Sequence, residues 1–142
     1  QWHLAAALLR GMRSCEVRPN VLTYNAGISA SEKGRQWQLA LQLLGEMGEL
    51  RLAPDVISYS AAMSACEKCR QWVAALELLG QMREGGLAPD AIAYGAVISA
   101  CSGKVAWQHA VHLLAEMQLD AVELDAVVCN AAINACSKAF RW

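Results

Sequence analysis

The chain has 142 residues, is 56% hydrophobic, and carries a formal net charge of −1 with a pI near 6.3. So even a balance gives no global pull toward nucleic acid or an anionic membrane, and any such binding must use a local face. No apolar stretch approaches the roughly 18–20 residues of a membrane span, and no targeting segment is recognisable.

One lattice orders everything else. The five tryptophans, Trp2, Trp37, Trp72, Trp107 and Trp142, stand 35 residues apart. Met12, Met47, Met82 and Met117 keep the same step. So do Pro19, Pro54 and Pro89, with Leu124 in the fourth slot, and Tyr24, Tyr59 and Tyr94, followed by Cys129. A fixed period of this size marks a repeat architecture, in which each unit buries its apolar face only against its neighbours.

Residues 1–20 read as the second half of a unit, because Gln1-Trp2 matches Gln36-Trp37. In the first full unit, 21–55, Tyr24, Ile28 and Ser31 are spaced for a helix, and Gly34 is expected to close it in the left-handed conformation. Trp37, Ala40, Leu41, Leu44 and Met47 then lie on one face of a second helix. The run Arg51-Leu52-Ala53-Pro54 is expected to end that helix, since proline disfavours helix in the residue before it.

Unit 56–90 repeats the pattern with Tyr59, Met63 and Cys66, then Trp72, Ala75, Leu76, Leu79 and Met82, and breaks at Gly85-Gly86. Unit 91–125 carries Tyr94, Ile98 and Cys101, then Trp107, Ala110, Val111, Leu114 and Met117. Its connector departs, with Ser102-Gly103-Lys104-Val105 in place of Glu-Lys-Gly-Arg. Residues 126–142 read as the first half of another unit, so the chain reads as a window on a longer array. Ala30, Ala65, Ala100 and Ala135 let neighbouring helices approach closely. The expected fold is all-α: a right-handed α-solenoid of 35-residue helix–turn–helix repeats, with seven or eight helices and no strand.

The cysteines follow the lattice too. Cys66, Cys101 and Cys136 share the place of Ser31, as a small packed side chain does, and free thiols in a reducing compartment are expected. Cys66-Glu67-Lys68-Cys69 lacks the second ligand pair of a zinc site, and His109, His112 and Glu116 fall on Leu39, Gln42 and Glu46 or on Ala74, Glu77 and Gln81 elsewhere, so no other repeat supports a metal clip. No nucleophile–base constellation, phosphate loop or carboxylate pair recurs. The chain is read as no enzyme, with no cofactor, metal or membrane partner.

A 35-residue unit reading VLTYNAGISA…EKGRQW…AL…LL…EM…PD resembles the pentatricopeptide repeat over the entire chain. The W-x2-L-G-x2-Y string of the 34-residue tetratricopeptide repeat is absent, since Trp37 is followed by Gln38-Leu39-Ala40. The resemblance implies a single-stranded RNA binder of mitochondria or plastids that reads one base per repeat and acts in RNA processing, stability or translation. It assigns base reading to the fifth and last residues of each unit: Asn25 with Asp55, Ser60 with Asp90, Gly95 with Asp125, and Asn130, whose partner lies beyond the sequence. By the same analogy Asn–Asp favours uridine and Ser–Asp favours guanosine, while Gly95 has no side chain to read with. The resemblance also implies base sandwiching by Leu22, Ile57, Ile92 and Val127, and phosphate contacts by Lys33, Lys68, Lys104 and Lys138.

Plainer roles stand beside these. Each aspartate precedes a helix and suits an N-cap, and each lysine suits a helix C-terminus. The alternative function is a protein-binding solenoid that holds a peptide on the same concave face without RNA contact. Protein partners of a longer chain, or a scaffold role for a domain outside the window, are also open.

Overall fold

The computed structural model describes residues 1–103 and 105–139. Among them are eight helices and no strand: α1 (Trp2–Ser14), α2 (Val21–Lys33), α3 (Trp37–Glu49), α4 (Val56–Lys68), α5 (Trp72–Glu84), α6 (Ala91–Ala100), α7 (Trp107–Leu119) and α8 (Ala126–Ala139). The lattice fixes where they start. The odd-numbered helices all begin on a tryptophan, and the later even-numbered ones each begin 35 residues after the last.

Local chemistry explains those starts. The side chains of Asn20, Asp55, Asp90 and Asp125 accept the backbone N–H three residues on, at 2.9, 2.9, 2.8 and 2.8 Å. Such a cap satisfies one of the donors that a helix N-terminus leaves open. In α2 and α4 the hydroxyls of Thr23 and Ser58 accept the N–H of the capping residue in return, which completes a capping box.

The helix ends differ from the sequence reading. Left-handed residues stand at Glu16, Arg51, Gly86 and Ala121 after the second helices, and at Arg35 and Arg70 after first helices. The next N–H reaches back to the last turn: Leu52 to Met47 O at 2.8 Å, Leu87 to Met82 O at 3.0 Å, and Gln36 to Ser31 O at 2.8 Å. This is the Schellman closure. Gly34 caps α2 with φ −82°, so the left-handed residue is Arg35 and not the glycine. Gly34 is small for another reason: a Cβ there would lie 2.2 Å from Cδ1 of Trp2. Pro54 follows a helix that Arg51 has already closed.

The helices form two layers. α2 packs on α4, α4 on α6 and α6 on α8, which makes one layer of first helices. α3, α5 and α7 form the other, each wedged against the first helix of its own unit and of the next. Met47, Met82 and Met117 are fully buried between the layers, with Ile28, Met63 and Ile98. Trp37 and Trp72 are half-buried against this core. The departing third connector costs α6 its last turn: it has 10 residues where α2 and α4 have 13. No described helix is long and apolar enough to cross a membrane.

Candidate functional site

Stacking of the first helices brings the fifth residue of the first and third full units near the aspartate that caps the next first helix. In the first full unit Nδ2 of Asn25 donates to both carboxylate oxygens of Asp55, at 3.2 and 3.4 Å. Thirty residues of sequence separate the two, and stacking α2 on α4 brings them together. Asn25 is buried, and its Oδ1 accepts from the hydroxyl of Ser58 at 2.5 Å. Ser58 is fully buried, and the sequence reading did not single it out. Its place three residues after Asp55 signals the capping box, but nothing local in the sequence signals the bond across to the preceding unit.

Burial alone would raise the pKa of Asp55. Hydrogen bonds from the backbone N–H of Ser58 and from Asn25 outweigh that and hold the carboxyl below its ordinary value. Asp55 is therefore both a helix cap and an ionised acceptor at neutral pH.

The next two pairs are less fully occupied. Oγ of Ser60 is buried with no hydrogen-bond partner among the described residues, and Asp90 caps α6 through Ala93. Gly95 and Asp125 line a groove of about 340 Å³ together with Ile92, Val127 and Ser99. That volume falls within the range of roughly 300–1,000 Å³ typical of small-molecule sites. Asn130 is exposed at the far end of the layer.

The second residues of the units behave alike. Leu22, Ile57, Ile92 and Val127 are 76, 65, 66 and 72% exposed. Isolated exposed aliphatic residues are ordinary, but four at one lattice position make a row along the layer, each two residues after a helix-capping Asn or Asp.

The lysines split. Lys33, Lys68 and Lys138 each lie in the last turn of a first helix, where they complement its dipole. Lys68 is engaged by Glu32 at 2.8 Å, whereas Lys33 and Lys138 make no ion pair among the described residues. Lys104 lies outside the described residues, as does Trp142.

Other features singled out in the sequence are used structurally. The six cysteines are unpaired. Burial pushes the thiols of Cys66 and Cys101 up to about 11, which suits packing better than reaction. Ser31, in the same place, is buried and donates to Gly27 O at 2.8 Å. His109 stacks on Trp72, and His112 pairs with Glu116 at 3.1 Å.

A family model described as "Pentatricopeptide repeat domain" matches residues 7–69, and a second, "PPR repeat family", matches 54–103. The chain matches no curated protein. Among solved structures it is similar to the pentatricopeptide repeat protein PPR10 in complex with an 18-nt psaJ RNA element, at 26% identity and a TM-score of 0.80, over 94% of this chain and 20% of that one. A triple cysteine-to-serine form of PPR10, also in complex with an 18-nt RNA element, gives 25% identity and a TM-score of 0.84, over 99% of this chain and 21% of that one. PPR10 from maize gives 22% identity and a TM-score of 0.78, over 94% and 19%, a likeness of fold alone. The chain thus spans about a fifth of the length of the proteins it resembles.

Proposed function

The chain belongs to the pentatricopeptide repeat family, and from that premise we propose that it binds single-stranded RNA along the layer of first helices, taking one base per repeat. The observation that carries the proposal is the groove between Ile92 and Val127, with Asp125 and Gly95 lining it. Two exposed aliphatic residues can sandwich a base there while a carboxylate meets its edge. The same elements recur at the seam of Leu22 and Ile57, where Asn25 and Asp55 are already hydrogen-bonded to each other.

The assignments within the site are part of the proposal. Asn25–Asp55 reads uridine: the amide N–H donates to the keto oxygen and the carboxylate accepts from the ring N–H. Ser60–Asp90 reads guanosine, whose larger ring fits beside the shorter side chain. Gly95–Asp125 discriminates weakly, having one polar member. Lys33 and Lys138 meet phosphates, while Lys68 must first leave Glu32. By the family's general habit the proposal extends to mitochondrial or plastid transcripts, in processing, stability or translation.

The near-neutral charge and the Glu32–Lys68 pair favour a second reading, a peptide held on the same face. Salt separates the two. For a single strand, log–log affinity falls by about 0.7 per neutralised phosphate, so two or three lysines predict a slope of about −1.4 to −2. Binding of a short single-stranded RNA with such a slope supports the proposal. No RNA binding at low salt, with capture of unstructured peptides instead, would overturn it.

A further inference from the structure

We propose that Ser58 is a positioning residue of the first base site, setting which hydrogen-bonding face Asn25 turns outward; the inference rests on the reading of Asn25 and Asp55 given above. The hydroxyl of Ser58 has one proton and two acceptors in reach, Oδ1 of Asn25 at 2.5 Å and Oδ1 of Asp55 at 2.9 Å. Two oxygens at 2.5 Å repel unless a proton lies between them, so the proton belongs on the line to Asn25. The hydroxyl oxygen in turn accepts the N–H of Asp55 at 3.1 Å, which anchors Ser58 to the cap. The carbonyl end of the amide is thereby held inward. The amide nitrogen spends one hydrogen on Asp55, and its second finds no acceptor among the described residues.

The site therefore presents a fixed N–H donor beside an ionised acceptor. Uracil offers the complement, a keto oxygen next to a ring N–H. Cytosine offers the reverse, an amino group next to an unprotonated nitrogen. Without Ser58 the carbonyl of Asn25 is free to turn out and accept from that amino group. In this account Ser58 and the ionised Asp55 together keep cytidine out.

The lattice carries the same relation onward. The place of Ser58 is Ala93 in the next unit and Val128 in the one after. As that residue loses its hydroxyl and then grows, the reader it faces shrinks from Asn25 to Ser60 to Gly95. Oγ of Ser60, facing a unit whose equivalent residue is Ala93, has no hydrogen-bond partner among the described residues. A Cβ on Gly95 would stand 3.4 Å from Cγ2 of Val128, in contact with it, so the valine borders the space that a larger reader would occupy. The third residue of each following helix is the wall against which the fifth residue of the preceding one is set.

The test uses the chain with short single-stranded RNAs carrying each base at each position in turn. Wild type is expected to prefer uridine over cytidine by about tenfold at one position, the weight of one hydrogen bond. Ser58→Ala is expected to bring that ratio below about threefold. A merely destabilised fold would lower affinity for every RNA and leave the ratio alone. A gain-of-function pair supplies the second arm: Gly95→Asn with Val128→Ser should create a uridine preference at a new position, and Gly95→Asn alone should not. If Ser58→Ala keeps the wild-type ratio, or Gly95→Asn alone gains the full preference, the role of Ser58 is overturned and the reader assignment survives. If wild type prefers no base at any position, the reader assignment itself fails and this inference falls with it.

Discussion

At the scale of single residues, Asp55 holds the most interactions. It caps α4, orients Asn25 and stays ionised because Ser58 and Asn25 donate to it. A carboxyl whose folded pKa is depressed contributes stability that is complete above its ordinary value, 3.8, and lost as pH falls through the lower folded value. Asp55→Asn keeps a good capping residue but loses the charge. It should cost about 1 kcal/mol near neutral pH, and the gap to wild type should close as pH is lowered below about 4. Chemical denaturation across a pH series measures this, and a gap that persists in acid contradicts it. The pairing of Asn25 with Asp55 was named by the resemblance to the family and not by the period, and the hydrogen bond between them is seen only in the structure. The bond from Ser58 was not legible in the sequence, because it joins a capping residue to a side chain 33 positions earlier. Gly34 was misread for a similar reason: its size answers Trp2 on another helix and not its own backbone angles.

At the scale of elements, the helices were legible from period and caps, but the turns were not. Left-handed closure falls on Arg35, Arg51, Arg70 and Ala121 as readily as on Gly86, so turn composition is a poor guide here. These non-glycine residues bear a local cost that the stacked helices offset, since a left-handed L-residue is disfavoured by roughly 1–2 kcal/mol. Gly86, at φ +76°, is the one relaxed member. Gly86→Ala should therefore lower stability by about 1 kcal/mol although its Cβ would meet nothing. The outer seams are also unequal. Arg83 joins Tyr94, Glu116 and Asp120 across α5, α6 and α7, and Arg13, Tyr24 and Glu46 meet across α1, α2 and α3. The middle seam has Gly48 in the arginine's place, the Tyr59 hydroxyl without a hydrogen bond among the described residues, and a cavity of about 410 Å³ lined by both residues. Gly48→Arg should fill that gap and raise stability by about 1 kcal/mol, as a helix former replaces glycine with open space around it. An unchanged or lower denaturation midpoint would contradict this.

At the scale of the whole molecule, the solenoid and its period were legible because every unit repeats one apolar stripe. The course of the binding layer depended on which helices stack on which, and that required coordinates. Ends and interior differ in cover. Leu8 and Ile133 are 61 and 66% exposed, whereas their lattice equivalents Leu43, Leu78, Leu113, Ile28, Met63 and Ile98 are buried. The 142-residue chain should therefore self-associate with rising concentration, and sedimentation that stays monomeric throughout would contradict this. On the proposed assignment only two units carry a complete pair of readers, and association costs on the order of 4–15 kcal/mol before any contact is counted. The chain alone should bind RNA no more tightly than about micromolar. The central claim is that each repeat addresses one base, and the most direct test is Asn25→Ser measured against RNAs varied one position at a time. The substitution turns the first reader pair into a copy of Ser60–Asp90. Preference should move from uridine to guanosine at one RNA position while every other position keeps its ranking. An unchanged preference at that position, or a shift spread along the whole RNA, would contradict the account.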